Sequence, residues 1–287
     1  MKKLLALTMA VLMLLALTAC GEKSEDLEPA KGVSSNKLNK NVSIEETVLV
    51  DEAGIKITAK SLDMDGFMGP ELKLQIENNS GKNLTVQNRY TCVNGYMIDT
   101  IMSVDVADGK IANDSLVLMD TSLDQSKIET IAIMELSFHI FESENWEDYL
   151  DTDLIELQTS AASAGMIASP VHEGQVAYEA DGIKIVVKGL DKDDLLGSSI
   201  VVYIENHTEQ NITIQANEVS VNGFMIDPIF SSEVLAGRHA VSNITFLSDE
   251  LAENGITLID QVELSFGIFD TDSWNDIVDT SPVTIKF

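Results

Sequence analysis

Carboxylates and tryptophans are the side chains whose spacing first suggests a chemistry. Asp63-x-Asp65 recurs as Asp191-x-Asp193, and Asp270-x-Asp272-x-x-x-Asp276 follows a Phe-Gly-Ile-Phe run. The corresponding earlier positions hold Glu142, Glu144 and Asp148. Hard oxygen ligands spaced along a loop are what Ca²⁺ takes. Neither set has the twelve-residue EF-hand spacing, so the first reading is solvated loop ends that keep sheet edges from pairing. Calcium is the second reading, and the one cofactor the sequence puts forward. Trp146 and Trp274 each follow a Phe-x-Ile-Phe stretch by a few residues. The first reading makes them covers for the open end of a core; the second makes them stacking platforms for a sugar or aromatic ligand.

Other chemistries find less support. His139, His172, His207 and His239 have no shared counterparts, so a histidine metal site or triad has no duplicated basis. No phosphate loop, dinucleotide fingerprint, His-Glu-x-x-His or Gly-x-Ser-x-Gly motif is present. With 2 Cys, a disulfide scaffold and a cysteine-rich zinc site are excluded. Cys92 reads as a buried small hydrophobe. The 18 Lys+Arg stand against 47 Asp+Glu, a formal charge of −29 that argues against nucleic acid as a partner.

The elements that must position these residues come in duplicate. Shifted by 128 residues, the chain aligns with itself without a gap, and 39 of 99 positions between 54–152 and 182–280 are identical. Val93-Asn-Gly-Tyr-Met-Ile-Asp99 matches Val221-Asn-Gly-Phe-Met-Ile-Asp227, and Glu135-Leu-Ser-Phe138 matches Glu263-Leu-Ser-Phe266. So long a period means two copies of a whole domain, assigned to 47–158 and 176–287. The small-residue stretch 159–175 reads as a linker, and 20–46 as a flexible tether.

Within a copy, apolar residues alternate with period two, as in Ile183-x-Ile185-x-Val187, which predicts half-buried strands. The continuous Ser-Ile-Val-Val-Tyr-Ile204 predicts a strand buried on both faces. Asn94-Gly95 and Asn222-Gly223 predict type I′ hairpins, and Ser248 predicts the N-cap of a short helix ending before Gly255. Seven or eight strands per copy are expected, giving an all-β fold of two tandem β-sandwich domains. Tyr96-Met97-Ile98 and Phe224-Met225-Ile226 read as packing residues, with an apolar contact surface as the alternative.

The chain starts Met1-Lys2-Lys3, continues with an apolar run, and reaches Leu17-Thr-Ala-Cys20. This resembles the lipobox of bacterial prolipoproteins. The resemblance implies a signal peptide over 1–19, a diacylglycerol on Cys20, and a place on the outer face of the cytoplasmic membrane. The mature chain would carry 16 basic against 47 acidic residues, so acyl chains rather than headgroup attraction would hold it. Both copies also resemble the immunoglobulin-like modules of Gram-positive lipoproteins, a likeness that implies a fold and no activity. The expected function is non-catalytic: binding, adhesion or spacing in the envelope, toward a polymer or protein partner. An accessory subunit docking a membrane complex is the alternative, and an enzyme acting on wall polymer comes third.

Overall fold

The computed structural model describes residues 38–165, 171–194 and 196–287, the side chains of 193 and 194 excepted. The signal peptide 1–19, Cys20 and the first part of the tether lie outside these residues. No helix among the described residues is long and apolar enough to cross a membrane.

The first repeat runs β1 (Thr47–Glu52), β2 (Ile55–Asp63), β3 (Glu71–Asn78), β4 (Leu84–Val93), β5 (Tyr96–Met97), β6 (Thr100–Ile101), β7 (Ser103–Val106), β8 (Lys110–Leu118), α1 (Asp120–Gln125), β9 (Ile133–Glu142), β10 (Asp148–Asp151), β11 (Ile155–Gln158) and α2 (Ser160–Ser163). One sheet is ordered β1-β2-β3-β8-β6; in the other, β7 and β9 flank β4, and β10 and β11 both pair with β9. The chain crosses between sheets after β3, touches the first sheet briefly at β6, returns to it at β8 beside β3, and crosses again at β9. That is the Greek-key path of an immunoglobulin-like sandwich.

The second repeat repeats the path through β12 (Gln175–Ala180), β13 (Ile183–Asp194), β14 (Gly197–Asn206), β15 (Ile212–Val221), β16 (Phe224–Met225), β17 (Ser231–Val234), β18 (His239–Leu247), α3 (Ser248–Glu253), β19 (Gln261–Asp270), β20 (Asp276–Asp279) and β21 (Val283–Lys286). Its sheets are β12-β13-β14-β18, and β15 flanked by β17 and β19, with β20 and β21 on β19. The chain is therefore all-β with two tandem sandwiches. Strands outnumber the seven or eight expected per copy because two-residue pairings and split edge strands lack a periodicity long enough to read.

Alternation places the core. Leu72, Leu74 and Ile76 of β3 point inward, and Leu136, Phe138 and Ile140 of β9 face them from the other sheet. Ile200, Val202 and Ile204 meet Leu264, Phe266 and Ile268 in the second repeat. Each such side chain contributes about 1.5–3 kcal/mol by burial. The recurring Ile-Glu-Asn ends in a polar pin: Asn206 is fully buried, and its Nδ2 donates to the carbonyls of Gln210 (2.8 Å) and Val234 (2.9 Å). Its Oδ1 accepts from Thr208, and Asn78 makes the matching set.

The Asn-Gly turns have positive φ at both residues, 51° and 86° in the first and 52° and 88° in the second, as type I′ requires. The short helix is found at Ser248–Glu253, but its N-cap is Leu247, without a side-chain bond. Ser248 fails as a cap because its hydroxyl donates instead to the Leu196 carbonyl. Part of the expected tether belongs to the first sandwich: Val42 is buried in that core, and Leu38 and Ile44 pack on it. The start of the linker is fastened there too, with Ser160 N–H donating to Ser43 O (2.8 Å).

Candidate functional site

Both tryptophans occupy one place in one kind of hairpin. In the β9–β10 turn, Trp146 N–H donates to Glu142 O (2.9 Å) and Glu142 N–H to Glu147 O (2.9 Å). The β19–β20 turn repeats this, with Trp274 N–H to Asp270 O (2.8 Å) and Asp270 N–H to Asn275 O (2.9 Å). The geometry forces the fourth loop residue into the left-handed region, with φ 62° at Trp146 and 59° at Trp274. A residue with a Cβ loses roughly 1–2 kcal/mol there, and glycine or asparagine is the usual occupant.

The same conformation throws the indole outward. Trp146 is 71% exposed and Trp274 70%. The expectation that they cover the ends of the cores is thus corrected: the turn sets their direction before hydrophobicity can. Each indole lies flat on a phenylalanine of the preceding strand. Trp146 stacks on Phe141 (5.1 Å, 15°) and Trp274 on Phe269 (5.3 Å, 20°). One face of each indole is backed, and the other is open for stacking.

Among the described residues no three His, Cys, Asp or Glu side chains are placed to hold a metal ion. Asp63 Oδ1 accepts from Asp65 N–H (3.0 Å), and Asp65 pairs with Lys40. Asp270 Oδ1 accepts from Ser273 N–H (2.7 Å) and from its hydroxyl (2.6 Å), which holds the carboxyl below its ordinary range. Asp272 lies in that hairpin loop, Asp276 begins β20, and Asp191 lies on β13. Asp193 is outside the described side chains.

His139 sits between two carboxylates, with Nδ1 against Asp151 (2.6 Å) and Nε2 3.7 Å from Asp148. Cys92 is fully buried, with burial and Glu135 pushing its thiol up to about 12. It behaves as the small hydrophobe the sequence suggested.

Sequence reasoning missed the seam between the repeats. His239 of β18 lies parallel to Tyr96 of β5, its N–H donating to Gly95 O (2.9 Å), which joins one sheet of each repeat. Tyr203 stacks near His172 (4.1 Å) and Tyr96 (6.3 Å), and Val186 and Val241 complete an apolar patch in contact with the first core. Arg238 forks onto Glu135, with Nε donating to Oε2 at 2.8 Å and Nη2 to Oε1. The one available signal was the Ser-Ile-Val-Val-Tyr-Ile204 run. Its outward residues Val201 and Tyr203 are covered by the first repeat, as a strand buried on both faces requires.

Beside the seam opens a polar cleft of about 510 Å³. A bulge between Asn88 and Tyr90 in β4 turns Arg89 and Tyr90 toward it. Tyr90 donates to Glu233 across the seam, and the Arg89 guanidinium lies over the Tyr90 ring (5.1 Å) while pairing with Asp151 (3.0 Å). Asp99 stands open to solvent in this concavity, and burial raises the carboxyl of Glu233.

The cleft and the tryptophans are linked by side chains. Arg89 reaches Asp151, Asp151 holds His139, His139 neighbours Phe141 (5.3 Å), and Phe141 carries Trp146. From Glu233, Thr213 lies directly opposite on β15, and Phe269 opposite Thr213 on β19. Register therefore puts Glu233 and the Phe269–Trp274 pair on one sheet face.

No family model matches this sequence, and no curated protein matches it. Among solved structures, the Salmonella enterica SafA pilin in complex with the SafB chaperone is 10% identical, covering 76% of this chain and 89% of that one, with a TM-score of 0.23. Red sea bream transglutaminase is 8% identical, covering 87% of this chain and 31% of that one, with a TM-score of 0.21. The chain thus spans about a third of that enzyme's length. Likenesses this slight carry no function, and the sandwich assignment rests on the chain's own sheet topology.

Proposed function

We propose that the chain is a non-catalytic binding module of the bacterial envelope, held at the outer face of the cytoplasmic membrane by lipid on Cys20. Its ligand is an uncharged or positively charged envelope polysaccharide, gripped by Trp146 and Trp274. The carrying observation is the pair of indoles, kept exposed in a costly backbone conformation in both repeats. Backbone strain retained twice at an open surface points to use of that surface. An indole face backed by phenylalanine suits the C–H face of a pyranose ring, and the excess of acid disfavours polyanions. Two platforms on one chain raise avidity for a repeating target without new contacts.

The test is retention of the protein on insoluble wall polysaccharide. Trp146→Ala and Trp274→Ala should each weaken retention, and the double variant should abolish it with folding intact. Retention unchanged in the double variant would remove the tryptophans from the reading. Membrane attachment is tested separately: Cys20→Ala should shift the protein from the membrane to the soluble fraction.

A further inference from the structure

The second repeat carries again, uncovered, the surface by which the first repeat holds the second. On the first repeat that surface is Tyr96 and Met97 on β5, just past the Asn-Gly turn, with Glu135 at the start of β9. Shifted by 128 residues these are Phe224, Met225 and Glu263, on β16 and β19. Tyr96 is buried beneath Tyr203 and His239. Phe224 and Met225, by contrast, are 48% and 68% exposed. The hollow recurs too: Ile98, Asp99 and Ser122 of the cleft become Ile226, Asp227 and Glu250, lining a depression of about 300 Å³. Large apolar side chains grouped on the surface of a strongly acidic chain mark a contact site.

The chain itself shows what fits such a surface. On the first repeat the occupant is the outer face of the β13-β14-β18 sheet, presenting Val186, Tyr203 and Val241 with Arg238 at its edge. The first repeat has no such face of its own. Its equivalent positions are Thr58, Gln75 and Asn113, with Lys110 in place of Arg238. A second copy of this chain therefore lacks an apolar face to offer, since its second repeat is already docked. We propose that Phe224, Met225 and Glu263 hold a β-sandwich domain of another protein. It would dock through an outer sheet face bearing an aromatic and β-branched residues beside an arginine. The retained carboxylate selects for that arginine as Glu135 selects for Arg238, and the acid rim of Glu218, Asp227 and Glu250 favours a basic edge.

A probe of this chemistry can be made from the full chain. Tyr96→Asp with Met97→Asp frees the second repeat's face, and Met225→Asp added to the same chain keeps the probe from holding itself. Sedimentation of the labelled probe with wild-type protein should show a complex. Met225→Asp in the wild-type partner should weaken it at least tenfold. Glu263→Arg in the partner should do the same, and Arg238→Glu in the probe should restore that loss. If the double aspartate variant does not fold, Glu135→Arg opens the same seam by charge reversal and serves for the Met225→Asp and Glu263→Arg arms, without Arg238→Glu, which would close that seam again. An opened probe, verified by hydrogen exchange at His239, that fails to bind wild-type protein would overturn the proposal. So would a complex indifferent to both Met225→Asp and Glu263→Arg.

Discussion

Trp274 shows how a single φ angle can outweigh hydrophobicity. Its side chain is the largest in its hairpin, yet the left-handed conformation at the end of the loop leaves it on the surface. Truncation should therefore cost little. We expect Trp274→Gly to change stability by less than about 1 kcal/mol, because relief of the φ strain offsets the lost stacking on Phe269. Denaturant unfolding checks this; a loss near the roughly 3–5 kcal/mol of a buried tryptophan would return the residue to the core. Asn206 should behave in the opposite way. Replacing it with Ala strands the carbonyls of Gln210 and Val234 in a buried site. We expect a cost of about 2–4 kcal/mol, with Asn206→Asp no better, since a carboxylate cannot donate to them.

At the scale of elements, most of the sandwich is legible in the sequence, because alternation and Asn-Gly turns are local. The strands of both cores, the I′ hairpins and the two-sided burial of β14 all follow from neighbours in sequence. What escapes is non-local or hidden in turn geometry. Nothing in Glu142-Ser-Glu-Asn-Trp146 announces that its last residue takes positive φ, since that place ordinarily falls to glycine. The bulge that aims Tyr90 and the Arg238–Glu135 fork join residues 143 and 103 positions apart, beyond any periodic pattern. In the acidic loops, spacing offers calcium ligation as the second reading beside solvated loop ends. Their oxygens are engaged locally, as at Asp270 with Ser273. We expect matched Ca²⁺ and Mg²⁺ to shift the Tm equally; a calcium-only rise removed by Asp270→Ala would show a site the hairpin conceals.

For the whole molecule, the seam makes two copies into one asymmetric body with a cleft neither copy has alone. Its aromatic cluster gives it a pH dependence. Burial, with Lys188, Lys127 and His239 nearby, lowers the His172 imidazole to about 4, opposed only by Glu205. Burial also lowers His239. A histidine held neutral in the fold contributes stability fully above its ordinary value near 6.5, and that contribution is lost as pH falls toward about 4. Protection of the His239 amide, its exchange rate taken relative to the intrinsic rate at each pH, should accordingly fall across that window, and His172→Phe should flatten the response. An identical acid response in His172→Phe would assign it to carboxylates instead. The Arg238–Glu135 pair is only partly exposed, so Glu135→Arg should weaken the seam by about 1–2 kcal/mol, and Arg238→Glu in the same chain should restore it.

On the proposed reading the two tryptophans meet the ligand, and intrinsic fluorescence reads that contact directly because the chain has no other tryptophan. Titrating the native protein with soluble wall polysaccharide, we expect emission that begins at the long-wavelength, solvent-exposed end and moves to shorter wavelength as polymer covers the indoles. Emission already at short wavelength in the free protein, or long-wavelength emission unmoved by polymer at any concentration, would rule out the tryptophans as the contact.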